Sequence, residues 1–163
     1  MSIKVVVRLA LLFVVALATS VNAFAQMPNP YGPPVTADTA KKVAAAALAE
    51  AVKNHLLIAV AVVDPGGNLV YFEKMDNTQL SSSTVALDKA RSSALWKRPT
   101  KAFQDALAAG GEGLRVLGLQ GITPADGGYP LIVDGKIVGA IGASGATSAQ
   151  DGQCAKAGAD SLK

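Results

Sequence analysis

The sequence predicts an α+β fold: an antiparallel β-sheet of about five strands flanked by helices. Three observations predict it. Leu131 to Val133 and Ile137 to Ile141 flank Asp134-Gly135, a pair that tolerates the positive φ angles of a tight hairpin. Leu57 to Val63 and Leu69 to Met75 flank Asp64-Pro65-Gly66-Gly67-Asn68, which is also turn chemistry. The helical patterns at 36–53 and 79–97 do not alternate singly with strands, as a doubly wound parallel sheet would require.

The chain has 163 residues and a formal net charge of +3. Its start reads as a signal peptide over residues 1–25. Lys4 and Arg8 are followed by an apolar run from Leu9 to Val21 and by Ala23-Phe24-Ala25, a small-x-small cleavage pattern. Export to the periplasm or the medium is the expectation, because the run is short for a spanning helix. Cleavage would remove two basic residues and no acidic one, lowering the charge from +3 to +1. Such a balance leaves no basic footprint for nucleic acid. Cys154 is the single cysteine, so no intramolecular disulfide forms. It is either a buried thiol or a link between chains.

Residues 26–35 form a proline-rich leader, expected to be an extended arm or a tail. Thr36 is placed to cap a helix with Asp38 in its first turn. Ala40, Val43, Ala44, Ala47, Leu48, Ala51 and Val52 repeat at helical spacing as its buried face. That helix should end near Asn54-His55. The uniformly apolar Leu57–Val63 suits a central strand covered on both faces. From Gln79 to Lys97 a stripe of small residues (Ser82, Ser83, Ala86, Ala90, Ser93, Ala94) invites close approach, for example by a helix of a second subunit. Pro99 stops this helix. Thr100 is expected to cap a short one over Lys101 to Ala109, which Gly110-Gly111 ends. Leu117 to Ile122 is read as a short strand.

The second hairpin strand carries Gly139, Gly142 and Gly145 and runs into Thr147-x-x-Gln150, a capping box that opens a closing helix from Ser148 to about Leu162. Cys154, Ala155, Ala159 and Leu162 should face inward there. Bare backbone beside a helix N-terminus suits an anionic ligand. Equally, the glycines permit close strand–helix packing.

In their order along the chain, Val60–Val70, Lys74-Met75-Asp76, Ala86–Ala90, Lys97-Arg98-Pro99-Thr100, Gly127-Gly128-Tyr129-Pro130, Gly139–Gly145 and Gln150-Asp151 resemble the GlcG/HbpS family, related to the C-terminal domain of PduO-type proteins. The resemblance covers nearly all of residues 36–163. It implies a profilin-like, PduO-C-terminal-like sheet flanked by helices, and a homo-oligomer such as an octamer. It also implies haem as a cofactor, in sequestration or in redox sensing with a sensor-kinase partner. The competing readings are an enzyme or binding protein for a small organic acid, and an oligomeric partner of a sensor without its own ligand.

Haem iron takes His, Met, Cys or Tyr as an axial donor. His55, the only histidine, is the axial candidate; its other role is to complement the helix dipole. Tyr71, Met75 and Tyr129 read as packing residues, and Met27 lies in the leader. Lys89, Arg98, Gly128, Tyr129, Ser144 and Gly145 are the candidate ligand-binding residues, brought together by the resemblance. The alternative for the cations is solvated charge, with Asp88 a local partner of Lys89. No His-Glu-x-x-His, Cys-x-x-Cys, Gly-x-Ser-x-Gly or phosphate-binding loop is present. A carboxylate-based activity from Asp88, Asp126 or Asp151 with Lys89 stays open.

Overall fold

The computed structural model describes residues 29–162, so the signal peptide, Met27 and the first residues of the leader lie outside the described region. Thr36 accepts a hydrogen bond from the Thr39 backbone N–H at 3.2 Å and opens α1, Ala37–Lys53. Ala40, Val43, Ala44, Ala47 and Ala51 form its buried stripe. Leu48 is only half-buried and Val52, expected inside, is exposed. Strand β1 is Ala59–Val63, buried throughout, and β2 is Leu69–Lys74. Then come α2, Ser82–Trp96, and α3, Lys101–Ala109. Strands β3, Gly128–Val133, and β4, Lys136–Ser144, precede α4, Ser148–Asp160. The capping box of Thr147 and Gln150 is formed.

The sheet order is β2-β1-β4-β3, and every neighbouring pair is antiparallel. Two short turns and one long excursion explain it. Asp64–Asn68 folds β2 back on β1, and Asp134-Gly135, with φ of 49° and 70°, folds β4 back on β3. The fifth strand expected at Leu117–Ile122 is absent. Gly110 and Gly111 adopt positive φ, and Gly111–Gly118 coils as a 3-10 helix. A Cβ on Gly113 would lie 1.8 Å from the Ala106 carbonyl oxygen, so this segment folds back against α3 instead of pairing with the sheet.

Part of the leader pairs instead. Ile137 N–H donates to the Pro30 carbonyl and Gly32 N–H to the Ile137 carbonyl, each at 2.8 Å. Val35 N–H donates to the Val138 carbonyl at 2.7 Å. Residues 29–35 thus form a docked arm along the part of β4 that lies beyond the end of β1.

The two faces of the sheet are packed differently. On one, Ala59, Ala61, Val63 and Ala140 meet Ala86, Ala90 and Ala94 of α2. A Cβ on Gly142 would lie 2.0 Å from the Ala86 carbonyl oxygen, so backbone touches backbone. The small-residue stripe of α2 is therefore filled by the chain's own sheet, not by a helix of another subunit. On the other face, Ile58, Val60, Val62, Leu131 and Ile141 pack under α1 and α4, with Cys154 and Ala155. Cys154 is fully buried, which excludes a disulfide between folded chains.

Candidate functional site

Four of the motifs singled out in the sequence, Ala86–Ala90, Lys97–Thr100, Gly127–Pro130 and Gln150-Asp151, meet where β3 begins, between α2 and the start of α4. Thr100 holds this junction together. Its N–H donates to the Gly128 carbonyl at 3.0 Å, and its hydroxyl accepts from Gly128 N–H at 2.9 Å. The hydroxyl makes no bond to α3, so the capping role expected for it is replaced by a clamp on β3. Gly128 is required here: a Cβ would lie 2.3 Å from the Lys89 carbonyl oxygen.

Lys89 is 2 % exposed. Its ammonium donates to Asp151 Oδ2 at 2.8 Å and to the Ala143 carbonyl at 3.2 Å. Asp151 Oδ1 accepts from Ala146 N–H at 3.0 Å. Burial pushes the Asp151 carboxyl above its ordinary range, while Lys89 pulls it back. The amine of Lys89 is thus satisfied inside the protein and ties α2 to the first turn of α4. Asp88 is exposed, and it is Asp151 that pairs with Lys89. Ser144, buried at the end of β4, and Gly145 border the same pair. A Cβ on Gly145, at φ of 153°, would lie 2.1 Å from the Leu57 carbonyl oxygen, so a side chain there disturbs the fold before it blocks a ligand.

Outside this interior lies a cleft of about 260 Å³ along the free edge of β3. Pro99, Pro130, Ile132 and Ala159 give it apolar walls, and Lys97, Tyr129, Lys156 and Asp160 its polar groups. Tyr129 connects the two regions. Burial, and then the charge of Asp126, push its phenol up to about 12. Asp126 accepts from Gly127 N–H at 2.7 Å and packs on Gly152 of α4. Lys156 donates to Asp160, and the Lys97 ammonium stands 4.2 Å from the centre of the Tyr31 ring. Lys97 and Lys156 were not singled out by sequence reasoning. The signal available for them was Lys97 opening the Lys97-Arg98-Pro99-Thr100 motif, and Lys156 sharing a helix face with Ala159 and Asp160.

Two candidates lie apart from both the interior cluster and the cleft, and of the others only Tyr129 lines the cleft. Arg98 is exposed, donates Nε–H to the Trp96 carbonyl at 3.1 Å and stands 5.7 Å from the Phe103 ring. His55 is exposed in the α1–β1 turn at φ of 56°. It lines neither the cleft nor the larger groove, about 390 Å³, between Pro33–Thr36 of the arm and the β3–β4 hairpin. That groove contains none of the residues singled out as ligand-binding.

A family model described as haem degrading protein HbpS-like matches residues 35–160. The chain belongs to the HbpS-like family. GlcG of Escherichia coli K12 is 39% identical over 105 residues, covering 64% of this chain and 77% of GlcG. The crystal structure of a double mutant of Streptomyces reticuli HbpS superposes with a TM-score of 0.74 at 32% identity, covering 81% of this chain and 89% of that one. A PduOC:heme complex shares the fold, with a TM-score of 0.71 at 24% identity over 80% of this chain and 96% of that one.

Haem requires apolar walls, cations for its propionates and an axial donor. The cleft has the first two: Pro99, Pro130 and Ile132, with Lys97 and Lys156. The third is not pocketed. His55 lies outside, and burial pushes the Cys154 thiol up to about 11 within the core. Tyr129 is the cleft's one side chain of a ligating type, and its raised phenol opposes ionisation. Among the described residues, no group of three or more His, Cys, Asp or Glu side chains is placed to hold a metal ion. At about 260 Å³ the cleft also falls below the usual range of about 300–1,000 Å³ for an enclosed ligand. A single chain thus offers apolar walls and two cations in this cleft, and no pocketed axial donor.

Proposed function

We propose that this protein is an exported haem-binding protein whose β3-edge cleft takes the propionate edge, with a second copy in a homo-oligomer covering the remaining macrocycle. The observation that carries the reading is the HbpS-like family match across residues 35–160. The haem complex of a protein with the same fold is in keeping with it. Within this reading, haem sequestration or redox sensing beside a sensor kinase is the biological role, and an octamer is the assembly. Titrating the mature chain with hemin tests it. A saturable Soret shift at a fixed ratio of haem to chain is expected; a linear, unsaturated response overturns the reading. Export is tested by sequencing the N-terminus of the cellular product. It should begin at or near Gln26, and a soluble cytoplasmic product retaining Met1 would refute export.

The volume of the cleft favours a second reading, in which a small organic acid is the ligand. Two lysines over an apolar floor suit a carboxylate attached to a short hydrocarbon body. Calorimetric titration with mono- and dicarboxylates separates the two. Saturable heat with a small acid, together with no hemin saturation, would select the second.

A further inference from the structure

The arm ahead of the domain reaches the cleft through one side chain. We propose that Tyr31 is a positioning residue for Lys97, so that the amino-terminal arm is a working part of the anion-binding cleft. This rests on the reading of the cleft given above.

Lys97 closes α2 with φ of 55°, a conformation that favours Gly or Asn over lysine. Its backbone N–H donates to the Ser93 carbonyl, which fixes the Cα but not the four-carbon side chain. An exposed lysine otherwise samples many rotamers, and ordering it opposes binding. The Tyr31 ring supplies the missing restraint, with the ammonium 4.2 Å from its centre.

Tyr31 is itself held at both ends. Its hydroxyl donates to the Ala94 carbonyl at 3.0 Å and the Leu95 carbonyl at 3.2 Å, groups that the end of a helix leaves without intrahelical partners. Its backbone lies between the Pro30 and Gly32 hydrogen bonds to Ile137 of β4. The ring is therefore a fixed platform joining sheet to helix. Because Lys97 lines the cleft with Tyr129 and Lys156, that platform sets where the cleft's charge stands.

The test uses the mature chain with its lysines reductively ¹³C-methylated, the Lys97 signal being assigned by its loss in Lys97→Asn. Asn keeps the left-handed backbone while removing the charge. The wild-type Lys97 methyl signal should be displaced upfield by the Tyr31 ring, and by a smaller margin in Tyr31→Phe, whose ring lacks the hydroxyl anchor to α2. In Tyr31→Leu it should return to the position of a free lysine. Hemin is the binding probe. Lys97→Asn should weaken its affinity at least about threefold, Tyr31→Leu about two- to fivefold, and Tyr31→Phe by less than about twofold. A wild-type Lys97 signal already at the free-lysine position overturns the proposal even if Tyr31→Leu does not fold. So does a displaced signal that Tyr31→Leu leaves in place. Loss of the displacement in Tyr31→Leu with unchanged affinity, while Lys97→Asn binds weakly, refutes the positioning role and keeps the cleft. Wild-type affinity in Lys97→Asn refutes the cleft itself, and the proposal with it.

Discussion

Lys89 and Lys97 lie eight residues apart on and just beyond one helix, and both fall in motifs that resemblance marks for function. The protein uses them in opposite ways. Lys89 is buried, and its charge is matched by Asp151 at 2.8 Å with the Ala143 carbonyl as a second acceptor. Lys97 is half-buried, held over an aromatic ring and open to the β3-edge cleft. A charge taken out of water must be paired, and the pairing consumes the donors a ligand would need. The interior cluster thus specifies how α2, β3 and α4 join, and recognition is proposed for the cleft outside it.

The sharpest break of this comparison is Lys89→Met. It leaves the Asp151 carboxylate buried with backbone N–H contacts alone, and should cost about 3–5 kcal/mol in urea denaturation. Adding Asp151→Leu should return much of that loss. The pH dependence has a definite sign. Burial raises the folded-state pKa of Asp151 above its unfolded value, so its contribution is fully present below the ordinary carboxylate range and lost as pH rises through the raised value. Removing Lys89 removes the group that pulls that value down, so the deficit of Lys89→Met should shrink on acidification. A pH-independent loss under about 1 kcal/mol would mean the pair is not closed to water.

The next effect concerns another buried group beside Asp151. The Cys154 thiol is raised from near 9 to about 11, chiefly by burial and then by the charge of Asp151. Its contribution is fully present below about pH 9 and is lost as pH rises towards 11, because only the unfolded thiol ionises in that window. At about 1.4 kcal/mol per pH unit this reaches about 2–3 kcal/mol. Cys154→Ala should therefore show a flatter alkaline limb than wild type. At pH 8 the native thiol should react with a disulfide reagent only after unfolding; fast reaction in the native state would contradict its burial.

Much of this architecture is legible wherever the chemistry is local. Asp134-Gly135, the Thr36 cap and the Thr147–Gln150 box each act within four residues, and each is found as read. The errors share a different cause. Thr100 looked like a cap because its partner Gly128 is 28 residues away. Lys89 reads as a ligand-binding cation, or else as a solvated charge beside Asp88, because Asp151 is 62 residues away. The leader stays open between an extended arm and a tail because proline-rich sequence has no partners of its own, and β4 supplies them. Leu117–Ile122 was read as a strand from its apolar content, while the preceding glycines fold the segment back on α3. The small stripe of α2 announced close packing correctly but not with what, since a sheet and a neighbouring helix demand the same small side chains.

The smallest expected effect is the most informative about the cleft. Lys156 is exposed and pairs with Asp160 one turn on, an arrangement worth about 0.3–0.5 kcal/mol. Lys156→Ala should thus shift the urea midpoint by less than about 0.5 kcal/mol in stability. Hemin affinity should fall about two- to fivefold, because a charge facing the propionate edge is lost. The wild-type affinity should also weaken more steeply with added salt than that of Lys156→Ala, since screening acts on the charge the variant no longer has. Lys42→Ala, which removes an exposed charge on α1 outside the cleft, serves as the control and should change neither quantity. Lys89→Met is the converse case: its stability falls first, and any loss of binding should follow the unfolded fraction. If Lys156→Ala matches wild type in affinity and salt dependence, the division into a structural interior and a recognising cleft fails on its outer side, and the anion site must be sought on another face.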